Sequence, residues 1–224
     1  LPAIDSSYTG KMYQLEKQYP DNIRLMTGLH PTHVKENYKE ELKHVSDNLS
    51  KRDFIAVGEI GIDLYWDKTF LKQQQDTFNQ QILLAKKYHL PIVIHCRNAF
   101  DEVFEILNDH KGDSLYGVFH CFTGTYQQAL QAIDLNFILG IGGVVTFKNG
   151  QIDQFLDKIP LQKIVLETDS PYLAPVPYRG KRNESGYLKL INQKVSEIYG
   201  MTNDEIAKIT TGNALSVFKI NLKY

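Results

Sequence analysis

Phe54-Ile55-Ala56-Val57-Gly58-Glu59 and Pro91-Ile92-Val93-Ile94-His95 are short apolar runs rich in branched residues. Between them, Phe70, Phe78, Ile82, Ala85 and Leu90 recur at helical spacing. Run, amphipathic segment and run make a strand, a helix laid on a sheet, and a second strand buried on both faces. The pattern repeats outward. Further strand-type runs cover 23–29, 116–120, 137–141 and 164–167, and charged segments of helical spacing cover 8–19, 38–49, 99–109, 126–134 and 150–158. Residues 184–199 and 203–218 continue as two helices packed outside the sheet. Right-handed crossovers leave two closures for such a chain, an open doubly wound sheet or a barrel. Six strands are visible and residues 1–4 read as the end of a seventh. One more βα unit before residue 1 gives the eight of a barrel. The expected fold is an α/β (β/α)8 TIM barrel lacking its first βα unit in this chain, one domain over 1–224. No G-x-G-x-x-G or G-x-x-x-x-G-K-[ST] fingerprint is present, since Gly140-Ile141-Gly142-Gly143 lacks the third glycine's spacing.

Composition narrows the function. The 224 residues carry 25 Lys plus Arg against 26 Asp plus Glu, a net charge of -1. The pI near 6.7 excludes a basic protein that coats nucleic acid along its length. An anion must be held locally. A mean hydropathy of -0.32 and the lack of an apolar run near the roughly 18 residues of a span argue against a membrane anchor. The N-terminus has no charged leader before an apolar core and does not read as a signal peptide. Two cysteines, Cys96 and Cys121, rule out a disulfide scaffold and fit a reduced, cytoplasmic setting. Each follows a histidine, so alternation turns them away from the face the histidines occupy.

Ionisable residues gather where strands end. Glu59, His95, His120 and Asp169 close four different runs, and in a parallel barrel those ends converge on one mouth. Two imidazoles and two carboxylates suit Zn²⁺, Mn²⁺ or Fe²⁺. Each alone has an ordinary structural explanation, a satisfied histidine or a helix-capping acid. Four together at the same ends favour a metal centre. Glu167 and Asp169 are two apart and share a strand face. His30, before Pro31, falls at the same mouth, whereas His33, His44, His89 and His110 fall on loops or helices and are expected in solvent. Arg97, Lys148 and the segment Arg179-Gly180-Lys181-Arg182-Asn183 offer positive charge for a phosphate. Tyr65, Trp66, Phe122, Tyr172 and Tyr178 follow strand ends, where a ring can stack on a base.

Gly28-Leu29-His30-Pro31, Gly58-Glu59-Ile60-Gly61-Ile62-Asp63, Ile94-His95-Cys96-Arg97, His120-Cys121-Phe122-Thr123-Gly124, Glu167-Thr168-Asp169-Ser170-Pro171-Tyr172-Leu173 and Arg179-Gly180-Lys181-Arg182-Asn183-Glu184 occur in register over essentially the whole chain. Together they resemble the TatD family of metal-dependent deoxyribonucleases. The resemblance implies an amidohydrolase-type TIM barrel with two divalent metal ions (Mg²⁺, Mn²⁺ or Zn²⁺) that acts on DNA, or RNA, ends. It implies Glu59 as the bridge between metals, His95 and His120 in one metal shell, and Asp169 as ligand of the other and orienter of the water. It places Glu167, His30 and Arg97 near the scissile phosphate, with Arg179 and Arg182 as substrate contacts. The family's first strand ends in His-x-His, and no such pair exists in this chain. Asn98 and Ser185 stand where the family often has Asp and Pro. No membrane and no obligate protein partner is implied.

Phosphodiester hydrolysis needs a nucleophile at neutral pH and neutralisation of the phosphoryl oxygens, which paired cations provide. Asp169 is the expected base and Glu167 its catalytic neighbour. The rival enzyme is a hydrolase of another ester or amide on the same scaffold, such as a D-aminoacyl-tRNA deacylase. The rival without chemistry is a nucleic-acid-binding module, against which the neutral pI argues.

Overall fold

The computed structural model describes residues 1–112 and 114–221. They form two compact units, Leu1–Val118 with Phe218–Ile220, and Phe119–Val217 with Asn221.

In the first unit, helices α1 (Thr9–Gln18), α2 (Tyr38–Lys51), α3 (Leu71–Tyr88) and α4 (Phe100–Asp109) alternate with strands β1 (Met26–Thr27), β2 (Ala56–Asp63) and β3 (Ile92–Arg97). Strand β4 (Gly117–Phe119) opens where the unit ends. β1 pairs with β2, and β2 with β3, all parallel. Every residue of β2 is buried, which is why its sequence is apolar without alternation. α3 lays Phe78, Ile82 and Ala85 fully into the core, at the spacing the sequence shows. Residues 1–4 are not a regular strand but bond like one. Met26 N–H donates to Leu1 O and His30 N–H to Ile4 O, while Ala3 N–H donates to Gly58 O and Glu59 N–H to Ala3 O.

Two features of this unit set the site. The β2–β3 register shifts between Gly58 and Ile60, so Glu59 has no partner residue on β3. Such a bulge re-aims a side chain. The run expected to end at Glu59 therefore continues to Asp63, and β3 continues past His95 to Arg97. The second feature is a pair of glutamines on α3, Gln74 and Gln81, both buried. Gln81 accepts Leu29 N–H at 2.7 Å and donates to Leu29 O at 3.2 Å. Gln74 accepts Asp63 N–H at 2.9 Å and donates to Asp63 O at 3.3 Å. Each amide satisfies both backbone groups of one residue, Leu29 or Asp63.

In the second unit, β5 (Phe137–Ile141) and β6 (Ile164–Leu166) pair in parallel, with helices α5 (Tyr126–Asp134), α6 (Leu188–Tyr199) and α7 (Asn203–Val217). α5 starts at a capping box: Thr125 Oγ1 accepts Gln128 N–H, and Gln128 Oε1 accepts Thr125 N–H. The expected helix over 150–158 is not there. Ile152–Gln154 and Leu156–Lys158 are separate 3₁₀ turns. The apolar residues Ile152, Phe155, Leu156 and Ile159 stack at i, i+3, the eclipsed spacing of 3₁₀ structure, and Pro160 stops a segment too short to repay helix nucleation. Asn213 of α7 ties the helix to the strand by donating to Leu161 O and Ile164 O at 2.8 and 2.7 Å.

Strand order nowhere departs from chain order, the pattern of barrels rather than of doubly wound sheets with a switch point. Among the described residues no helix is long and apolar enough to cross a membrane.

Candidate metal-ligand clusters

The first unit brings His30, Glu59 and His95 together, one ligand-type atom of each lying within 4.8 Å of the others. His30 and Glu59 are buried and His95 nearly so. The His95 ring is held from both sides. Its Nε2 is 2.8 Å from Asp63 Oδ2, and its Nδ1 is 4.0 Å from Glu59 Oε2. Burial pushes the His95 pKa down. The hydrogen bond to Asp63 opposes that, His30 reinforces it, and the charges of Glu59 and Asp63 oppose it; the net shift is downward and the ring is neutral at pH 7. For Asp63 burial works against ionisation, but the hydrogen bond and charge of His95 and the N–H groups of Trp66 and Tyr65 prevail, so its pKa lies below the ordinary value. A carboxylate only accepts, so the His95 proton sits on Nε2 and the Nδ1 lone pair faces Glu59.

Two donors to one ion with bonds of about 2.1 Å stand at most about 4.2 Å apart. The pair His95 Nδ1 and Glu59 Oε2 satisfies this limit. Orientation of a ligating imidazole by a carboxylate on its other nitrogen is the usual support of such a ligand. His30 differs. Its Nδ1 accepts Thr32 N–H at 3.2 Å and lies 2.7 Å from Thr32 Oγ1, which puts the proton on Nε2, 3.5 Å from Glu59 Oε2. In that tautomer His30 is a donor toward Glu59 rather than a ligand. Gly61 makes room for the arrangement: at φ +138° it passes so close to the His95 carbonyl that a Cβ would collide with it.

The second unit repeats the design with the nitrogens exchanged. His120, just after β4, has Nδ1 3.0 Å from Glu167 Oε2 and Nε2 3.4 Å from Asp169 Oδ1. The other Glu167 oxygen accepts Cys121 N–H at 2.8 Å. The proton is thus on Nδ1 and Nε2 faces Asp169. Asp169 stands beyond the end of β6 in the left-handed region, φ +56°, which aspartate tolerates better than most residues. Asn183 fixes this turn. It is 2 % exposed, and its Nδ2 donates to Thr168 O and Tyr172 O, both at 2.6 Å.

The remaining candidates are at the surface or structural. Arg97 is exposed and lies over the Tyr65 ring at 3.7 Å, and Arg179 lies over Phe147 at 4.5 Å. Lys181 and Arg182 are exposed. Of the four histidines expected in solvent, only His89 is exposed. His33 is 2.6 Å from Asp5, His44 2.9 Å from Thr9 Oγ1, and His110 bonds Asn79, because loop and helix histidines here close contacts between elements. Burial pushes the Cys96 thiol up to about 12, which leaves it inert. Asp63, Gln74, Gln81 and Asn183 were missed. Asp63 ends an apolar run just as Glu59 was expected to, so the strand-end criterion finds it once the strand is extended; the amides carry no such signal.

These clusters define a parallel α/β protein with paired histidine and carboxylate groups of metal-ligand type. The model of the TatD related DNase family matches residues 2–219, and the chain belongs to the TatD family. An uncharacterized metal-dependent hydrolase of Bacillus subtilis, YabD, is 40 % identical over 202 residues, 90 % of this chain and 79 % of that protein. YcfH of Escherichia coli, described in the same words, is 32 % identical over 203 residues, 90 % and 76 % of the two chains. The crystal structure of YjjV, a TatD homolog from Escherichia coli, superposes with a TM-score of 0.92 at 28 % identity over 99 % of this chain and 86 % of that one, which establishes the TIM-barrel-like α/β fold.

Proposed function

We propose that this protein is a divalent-metal-dependent deoxyribonuclease that hydrolyses phosphodiester bonds at DNA ends in the cytoplasm, with Glu59, His95, His120 and Asp169 as ligands of two ions. The observation that carries the reading is the nearly buried His95, its Nε2 held by Asp63 and its Nδ1 turned to Glu59. Divalent ions there supply charge neutralisation at the phosphoryl oxygens and acidification of water. Asp63 and Glu167 are positioning residues, each fixing one imidazole by its second nitrogen. Asp169 takes the proton of the attacking water on a carboxylate oxygen. His30 donates from Nε2 toward Glu59 and keeps that carboxylate oriented. Arg97, Arg179 and Arg182 are exposed and bind the phosphates of the strand by charge-assisted bonds. The family match and the metal-dependent hydrolases among the relatives support the reading.

The test is a substrate panel of single-stranded DNA, duplex DNA, RNA and an aminoacyl-tRNA ester, each with Mg²⁺, Mn²⁺ or Zn²⁺. The expected result is metal-dependent release of nucleotides from DNA ends, abolished by chelator and lowered at least about 10²-fold in Asp169→Asn. Hydrolysis of the aminoacyl ester alone, or wild-type turnover by Asp169→Asn, contradicts it.

A further inference from the structure

Gln74 of α3 is buried, and its amide is spent on the backbone where β2 ends. Its Oε1 accepts Asp63 N–H at 2.9 Å, and its Nε2 donates to Asp63 O at 3.3 Å and to Asp67 O at 3.4 Å. Both amide N–H groups and the carbonyl are therefore engaged. Asp63, 1 % exposed, passes this support on. Its Oδ2 lies 2.8 Å from His95 Nε2, and its Oδ1 accepts the backbone N–H groups of Tyr65 and Trp66 at 2.9 and 3.2 Å. The bonds from Tyr65 and Trp66 tie the carboxylate to residues 64–69, which form neither helix nor strand, so they fix it only relative to a loop. Gln74 ties the same residue to a helix whose Phe78, Ile82 and Ala85 are fully buried in the core. A ligand is held in place by groups that packing locks, and of these two attachments only the second is locked in that way.

We infer that Gln74 is a positioning residue of the candidate metal centre: by clamping the backbone of Asp63 to α3, it fixes which His95 nitrogen carries the proton and which is left to face Glu59. Its consequence for metal affinity rests on the proposed ligand role of His95; its consequence for the His95 proton rests on hydrogen bonding alone. The contacts run from the Gln74 amide to the Asp63 backbone and from the Asp63 carboxylate to His95 Nε2, with His95 Nδ1 4.0 Å from Glu59 Oε2 at the far side of the ring. Gln81, about two turns further along α3 and fully buried, makes the same pair of bonds to Leu29 instead. It is the matched control, a clamp of equal kind on a different residue.

The test compares Gln74→Met with Gln81→Met in the full chain. Each keeps the length of the side chain and removes one clamp, so a purely structural role lowers both melting temperatures and leaves the His95 ring alone. Long-range proton–nitrogen spectra of the metal-free protein at about pH 8, above the ordinary histidine pKa of about 6.5, report which ring nitrogen is protonated. The His95 signals are identified by their loss in His95→Gln. The expected result is Nε2 protonation in the wild type and in Gln81→Met, and a mixture of Nε2- and Nδ1-protonated forms in Gln74→Met. Affinity for Mn²⁺ or Zn²⁺, titrated against a chromogenic chelator, should fall about 10-fold in Gln74→Met. It should fall no further when Gln74→Met is added to Asp63→Asn, because both act through one carboxylate. Gln74→Glu, which keeps the acceptor and loses the donors, should give the same mixture and serves if Gln74→Met does not fold. An unchanged His95 spectrum in folded Gln74→Met or Gln74→Glu, or an equal mixture in Gln81→Met, overturns the positioning role and leaves the metal reading standing. The expected His95 mixture together with a wild type that binds neither ion upholds the positioning of the ring and overturns the metal reading.

Discussion

At His95 a single carboxylate decides which ring nitrogen is left to face Glu59 and the proposed cation. Asp63→Asn keeps the volume but replaces an acceptor-only group with one that also donates, and the imidazole loses its fixed orientation. Affinity for Mn²⁺ or Zn²⁺ should fall about 10- to 100-fold in titrations against a chromogenic chelator. Wild-type affinity in that variant contradicts the positioning role. Asn183→Ala leaves the carbonyls of Thr168 and Tyr172 without their donor. It should cost about 1–3 kcal/mol in urea unfolding and disturb the Asp169 turn. The ligand-type residues were legible in sequence because a charged or imidazole group closing an apolar run is conspicuous. Asn183 was not, since an asparagine in a basic loop reads as solvated until its two carbonyl acceptors are seen.

Helix α3 shows what periodicity conveys and what it conceals. Phe78, Ile82 and Ala85 announce its buried face. Gln74 and Gln81 sit on that face too, yet as amides they read as polar surface. Gln81→Ala strands two backbone groups of Leu29 and should destabilise the fold by about 1–3 kcal/mol for each group left unpaired. Gln80→Ala, one residue away and exposed, should stay within about 0.5 kcal/mol of wild type in the same urea series. Equal effects at the two positions contradict the clamp. Element bounds follow the same logic. α5 and β5 fall where the sequence puts them, over 126–134 and 137–141, because a capping box and a compact apolar run leave little choice. The run over 23–29 shrinks to Met26–Thr27, and at its C-terminal end the Gln81 amide, a contact from far along the chain, takes over the bonding at Leu29.

For the molecule as a whole, near-neutral charge means that on the proposed reading DNA would be held by a few groups and not by a broad field. With Arg97, Arg179 and Arg182 as the phosphate contacts, log affinity for single strands should fall against log salt with a slope of about -2. A slope near zero, or steeper than about -5, contradicts that count. The fold class was legible because alternating strands and helices admit few closures, and the superposition on YjjV covers 99 % of the chain. The measurement that bears most directly on the central claim is anomalous diffraction from crystals of this chain soaked in Mn²⁺. The account predicts an anomalous peak about 2.1 Å from both the Glu59 carboxylate and His95 Nδ1, with Asp63 still bonded to Nε2. Full Mn²⁺ occupancy elsewhere in the crystal with no peak at Glu59 and His95 would contradict it.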